Sequence, residues 1–256
     1  MKIRVPILFS IFALLGGVAT VADETRVQIT SGAAMTPAIP VTPGRPHARS
    51  YDPHIKLDPE TQIRIALQHK AEGRLQEALH TLSQAGDRHP ASARIFAVRG
   101  SLLLEEGRVA PALADLEKSI KLDPNDAEVL TNRAQAYRQF GRMDQAMADL
   151  DRAIALQPDL LAARFNRGAM RYSMRNYPGA LEDFDHCIAL DPHLPGPYFN
   201  RAAVQDALGE KDAAILDLER FLQISDNPDW NRQAKELMQA LIDPDSVPEA
   251  PPSSPH

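Results

Sequence analysis

The sequence predicts an all-α protein, an α-solenoid of five helical hairpins closed by a C-terminal capping helix. Three observations carry that prediction. Five stretches of the chain repeat at a constant step of 34 residues. Glycine and proline punctuate each repeat at fixed places, leaving runs of helix length between them. The composition, 44% hydrophobic but only 5% aromatic, leaves a core to Ala, Leu, Ile and Met, as closely packed helices require.

The elements follow in chain order. Lys2 and Arg4 precede a run from Val5 to Ala22 without a charged residue, and Thr20-Val21-Ala22 offers a small-residue exit before Asp23-Glu24. A basic head, an apolar middle and a small-residue exit predict a secretory signal peptide over residues 1–22. The alternative is an uncleaved N-terminal membrane anchor. Its apolar run falls slightly short of the ~20 residues a spanning helix needs, and Pro6, Gly16 and Gly17 weaken it. No cysteine follows the run, which argues against a lipid anchor. The mature chain is therefore expected outside the cytoplasm, in the periplasm or secreted. Residues 23–58 read as a flexible Pro-rich linker, with Pro37, Pro40, Pro43, Pro46 and Pro53 on no helical or alternating period. Residues 243–256, rich in Pro and Ser, read as a disordered tail.

Between these segments lie three registers that repeat through all five units. Ala66, Gly100, Ala134, Gly168 and Ala202 are always small, and so are Ala78, Ala112, Ala146, Ala180 and Ala214. Leu82, Leu116, Leu150, Phe184 and Leu218 are always large and apolar. Small residues twelve positions apart let two antiparallel helices approach, while large ones interdigitate beside them. Gly73, Gly107, Gly141 and Gly209 fall where one helix must end and the chain turn. Pro90, Pro124, Pro158 and Pro192 fall where a unit stops, and Asp123-Pro124-Asn125-Asp126 reads as a stop followed by capping residues. After Pro228 one more helix is predicted over 229–242, with Trp230, Ala234, Leu237, Met238 and Leu241 on one face.

This pattern resembles the tetratricopeptide repeat in its 34-residue period, small residue at position 8, alanine at 20 and proline at 32. The units run 59–92, 93–126, 127–160, 161–194 and 195–228, so the resemblance covers residues 59–228. Departures (Gln62 and Arg64 in unit one, Asp226 in unit five) lie at the ends, where one face of a repeat has no neighbour. The resemblance implies a right-handed superhelix whose first helices line a concave groove. It further implies that the groove binds an extended segment of another protein. A self-associating scaffold for an envelope assembly, and hence a homo-oligomer, is the alternative that some bacterial members suggest.

The remaining chemistry supports binding over catalysis. There is no glycine-rich phosphate loop, no GxSxG elbow and no HExxH pair, so no enzyme, cofactor or metal is expected. The net charge of −6 argues against nucleic acid as partner. The single cysteine, Cys187, reads as a buried filler. Arg99, Arg133, Arg167 and Arg201 at position 7, with Asp115, Asp149, Asp183 and Asp217 at position 23, predict structural ion pairs within or between units. Asn132, Asn166 and Asn200 recur at position 6. They resemble the ladder by which sugar-transferase relatives hold a peptide main chain, and equally suit amides satisfied by neighbouring helices. The resemblance places Lys70, Arg94, Gln135, Arg138, Phe165, Tyr172 and Phe199 at other groove positions, basic in the early units and aromatic in the later ones. Phe165 and Phe199 would be either exposed anchors or packing for the adjacent hairpin. The full carboxylate clamp of chaperone-binding relatives is not evident, since Ile63 and Leu67 occupy its key places in unit one.

Overall fold

The structure, a computed structural model, describes residues 57–243. The predicted signal peptide, the linker up to residue 56 and the tail from residue 244 lie outside the described residues. Within them are eleven α-helices and no strand. Five hairpins pair α1 (Pro59–Ala71) with α2 (Leu75–Arg88), α3 (Ala93–Glu105) with α4 (Val109–Leu122), and α5 (Ala127–Gln139) with α6 (Met143–Leu156). The series continues with α7 (Leu161–Ser173) and α8 (Tyr177–Leu190), then α9 (Pro195–Leu208) and α10 (Lys211–Ile224), and ends on the single helix α11 (Pro228–Ile242).

The turns inside the hairpins need a left-handed residue. Gly73, Gly107, Gly141 and Gly209 supply it with φ between 71° and 83°. Unit four has Arg175 at the same place, held at φ 60° without a glycine's freedom. Between units the prolines sit in the connecting turn, and in unit three the residue before the helix, Asp126, caps it. Asp126 accepts the Val129 N–H at 3.0 Å and Asp123 Oδ1 accepts that of Asn125 at 3.1 Å.

The repeat registers become the core. All five residues of the position-20 and position-24 registers are fully buried, and the small residues at position 8 lie beneath them. A Cβ added at Gly100 would meet Leu116 Cγ at 2.8 Å, and one at Gly168 would meet Phe184 Cε1 at 2.9 Å. The small residue is thus where the large one of the same hairpin comes to rest. Each second helix packs on the next first helix, and consecutive first helices (α1–α3, α3–α5, α5–α7, α7–α9) also touch, so the first helices form the inner side of the array. Helix α11 closes the end. Asn227 accepts the N–H groups of Asp229 and Trp230, Ala234, Leu237 and Leu241 are buried, and the Trp230 ring meets Phe199 edge-on at 6.0 Å. Arg232, Lys235, Glu236 and Gln239 stay exposed, as a cap's outer face requires.

The predicted ion pairs form inside the hairpins of units two to five. Nε of Arg99, Arg133, Arg167 and Arg201 donates to Oδ2 of Asp115, Asp149, Asp183 and Asp217 at 2.6, 2.8, 3.0 and 2.7 Å. Nη2 of each donates to the other oxygen at 2.7, 2.8, 2.7 and 2.6 Å, so all four pairs are bidentate. The carboxylate bonds raise the arginines above their ordinary range, and in Arg167 they outweigh an opposing burial. Such pairs fix register more than they add stability, since burial costs each ion its hydration.

Candidate functional site

The inner side of the first helices is where the predicted binding residues were placed, and the structure sorts them into three groups. The first faces the groove with spare hydrogen-bonding capacity. Asn132 and Asn166 lie at one register on the adjacent helices α5 and α7, half-buried, and Gln135 stands one turn from Asn132. None of the three amides makes a side-chain hydrogen bond among the described residues.

The second group lies at the groove with its charge or ring engaged. Lys70 Nζ donates to Glu105 Oε1 at 2.8 Å and Arg94 Nη1 to Glu60 Oε2 at 2.5 Å. Both pairs cross from unit one to unit two, so the early units do not present the open basic surface that their lysine and arginine suggested. Arg138 is half-buried, and burial lowers its guanidinium below the ordinary range. Tyr172 leans on the Tyr177 ring at 5.9 Å, and burial raises its phenol above the usual value.

The third group corrects the sequence reading. Phe165, Phe199 and Asn200 do not face the groove. Phe165 is fully buried, edge-on to Phe184 at 5.7 Å, with its ring against the backbone of Gly196, where a Cβ would come within 3.1 Å. Phe199 is fully buried between Phe221 at 5.3 Å and Trp230. Asn200 is 1% exposed, and its Nδ2 donates to the Gly196 carbonyl at 2.9 Å. The physical reason is common to all three. Gly196 lets unit five press closely on unit four, while α11 covers the opposite side of α9, so α9 is enclosed nearly all round. Cys187 is also fully buried, and burial pushes its thiol up to about 12, which suits a core filler rather than a nucleophile.

Sequence reading missed a further ladder. Glu117, Asp151, Asp185 and Glu219 keep the 34-residue step at position 25. Arg167 Nη1 reaches back to Asp151 at 2.8 Å and Arg201 Nη1 to Asp185 at 2.5 Å, so these arginines bridge two units. In the preceding unit, Glu117 accepts the Tyr137 hydroxyl at 3.2 Å. The signal was present in the repeat, since an acid two residues after each Asp of the first ladder needs a cation within reach. A cleft of about 570 Å³ lies between α2 and α4, lined by Leu79, His80, Leu103 and Pro111 beside the Arg99–Asp115 pair. Its charges already satisfy each other. No group of metal-ligating side chains occurs among the described residues.

An all-α array of hairpins with an amide-bearing inner face is the form of a helical-repeat protein-binding module. Family models described as tetratricopeptide repeat match residues 63–127, 98–160 and 135–195. The chain belongs to the tetratricopeptide repeat family, whose fold is that of a protein–protein interaction adaptor. It is similar in structure to PilW, a widely conserved type IV pilus biogenesis factor, with 15% identity and TM-score 0.67 over 72% of this chain and 86% of that one. It also resembles PilF of Pseudomonas aeruginosa (20%, TM-score 0.61, 73% and 93%) and YrrB, a repeat protein with an unusual peptide-binding site (18%, TM-score 0.56, 70% and 92%). No curated protein matches the chain by sequence.

Proposed function

We propose that the chain is an exported adaptor that holds an extended segment of a partner protein along the inner face of units three and four. The observation that carries this is the pair Asn132 and Asn166, equivalent amides on touching helices with no side-chain hydrogen bond among the described residues. A carboxamide both donates and accepts, so two of them in register suit the main chain of an extended peptide whatever its side chains. Export rests on the basic residues Lys2 and Arg4 before a charge-free run that ends in a small-residue exit. Among the described residues no helix is long and apolar enough to cross a membrane.

A photocrosslinking residue at Gln135, on the inner face, should capture a discrete partner in intact cells, whereas one at Leu216, exposed on α10, should not. Changing Asn132 and Asn166 together to Ala removes two bonds worth about 0.5–1.5 kcal/mol each, which weakens partner binding by about one to two orders of magnitude. The double variant should melt like the parent, because neither amide makes a side-chain hydrogen bond among the described residues. Equal capture from both faces, or a double variant that binds as tightly as the parent, would overturn the reading.

A further inference from the structure

Consecutive units meet through the same positions, and the interface between units two and three shows what those positions can hold. There the ring of Tyr137, at position 11, has two guanidinium groups over it. Arg133 at position 7 stands 5.4 Å from the ring centroid, and Arg142 at position 16 stands 5.9 Å from it. The Tyr137 hydroxyl donates to Glu117 Oε1, at position 25 of the preceding unit, at 3.2 Å, and the residue is 7% exposed.

The interface between units one and two keeps this arrangement but lacks the ring. Position 7 is Arg99, position 16 is Arg108 and position 25 of unit one is Ser83. All three line the cleft between α2 and α4. Position 11 is Leu103, which reaches less far than a tyrosine and, with Leu79, gives the cleft two nearly buried apolar side chains. The opening of about 570 Å³ lies within the roughly 300–1,000 Å³ typical of ligand sites.

From this correspondence we propose that the cleft is a docking site for a tyrosine side chain of a partner protein, which takes the place that Tyr137 holds one unit along. The ring lies on Leu79 and Leu103 under the guanidinium groups of Arg99 and Arg108, and the hydroxyl reaches Ser83. Charge complementarity selects this occupant, because the electron-rich face of the ring meets two cations. An aliphatic side chain offers no such face. The bond from Arg99 to Asp115 is no obstacle, since Arg133 keeps its bidentate pair with Asp149 while lying over Tyr137. The Arg108 side chain is 54% exposed and meets Glu106 at 3.3 Å, so it can swing over an incoming ring. The cleft opens beside the second helices of units one and two, apart from Asn132 and Asn166 on the first helices of units three and four. A partner held at both places is fixed in register as well as bound.

Nuclear magnetic resonance of the mature chain with labelled leucine methyl groups tests the proposal, with acetyl-Gly-Ser-Tyr-Ser-Gly-amide as the probe. A ring in the cleft should move the Leu79 and Leu103 methyl signals upfield, while those of Leu67 and Leu216, exposed elsewhere, stay in place. The same peptide with Leu for Tyr should bind about tenfold more weakly, as the loss of two cation–π contacts implies. Arg108→Ala, at an exposed site, should weaken the tyrosine peptide about two- to fivefold. Leu103→Tyr supplies the ring in cis, as unit three does, and should abolish the response of Leu79. Asn132→Ala with Asn166→Ala should leave that response intact, so failure here and failure of the inner-face reading are distinguishable. No shift at millimolar peptide, equal binding of the two peptides, or shifts spread over the exposed leucines would overturn the proposal. So would undiminished binding by Arg108→Ala, or by a Leu103→Tyr variant that circular dichroism shows to be folded.

Discussion

Among individual residues, Arg175 is the one that most contradicts its place. Four of the five hairpin turns use glycine at a left-handed φ, whereas unit four forces an arginine to φ 60°. A side chain in that region costs roughly 1–2 kcal/mol, part of which glycine returns through its freer unfolded state. Arg175→Gly should therefore stabilise the protein by about 0.5–1 kcal/mol, seen as a rise of about 1–4 °C in melting temperature. The side chain makes no polar contact among the described residues, so nothing offsets the gain. An unchanged or lower melting temperature would show that the turn is not strained.

At the scale of the hairpin, two glycines of one register are expected to behave differently. Alanine at position 8 faces leucine at position 24 in units one, three and five, so Gly100→Ala recreates a pairing the fold already uses. Its added Cβ meets Leu116 Cγ at 2.8 Å and the Ala112 carbonyl at 3.3 Å, so the hairpin must relax to the spacing of its alanine-bearing neighbours, which offsets part of the roughly 1 kcal/mol gained in helix propensity. Gly168→Ala instead presses on the rigid ring of Phe184 and on Asp183 Cβ at 3.1 Å, and should cost about 1–3 kcal/mol. Chemical denaturation of both variants checks the contrast, which fails if they shift alike. The same register explains what was legible in the sequence. Steric demands at positions 8, 20 and 24 repeat identically, so the hairpins and their ion pairs could be read from spacing alone. The groove could not be read so fully. Whether position 5 faces solvent depends on how close the next unit comes, and Gly196 decides that for Phe165 from a different repeat. Likewise Asn200 shares its register with Asn132 and Asn166 but is enclosed by its neighbours.

For the molecule as a whole, the array needs its last helix. Without α11, the end of unit five would present Phe199 and Phe221 to water, both now fully buried. A chain ending after Pro228 should melt clearly below the parent and aggregate on concentration. A truncated chain with the parent's melting curve would show that α11 covers nothing essential. At the other end of the described chain, Gln62 and His89 both hold the Leu57 carbonyl, at 2.7 and 3.0 Å, and anchor its entry into unit one.

The way the apolar interior is partitioned has its own consequence. One continuous, mostly aliphatic cluster joins units one to three and reaches Ala163 and Met170 on α7. On the same helix, Phe165 and Ala169 belong to a second cluster with Phe184 and Val204, and Tyr172 links that cluster to the one beneath α11. Buried beside this seam is Asp183, fully enclosed and bonded to Arg167 and Arg171. A seam of this kind, with desolvated charge beside it, is expected to divide the array into two cooperative folding blocks, units one to three and the rest. Trp230, the only tryptophan, lies in the second block, so its fluorescence follows that block alone while far-ultraviolet dichroism follows both. In urea the two signals should give separate midpoints, and superimposable curves would mean that the seam transmits unfolding as readily as the rest of the core.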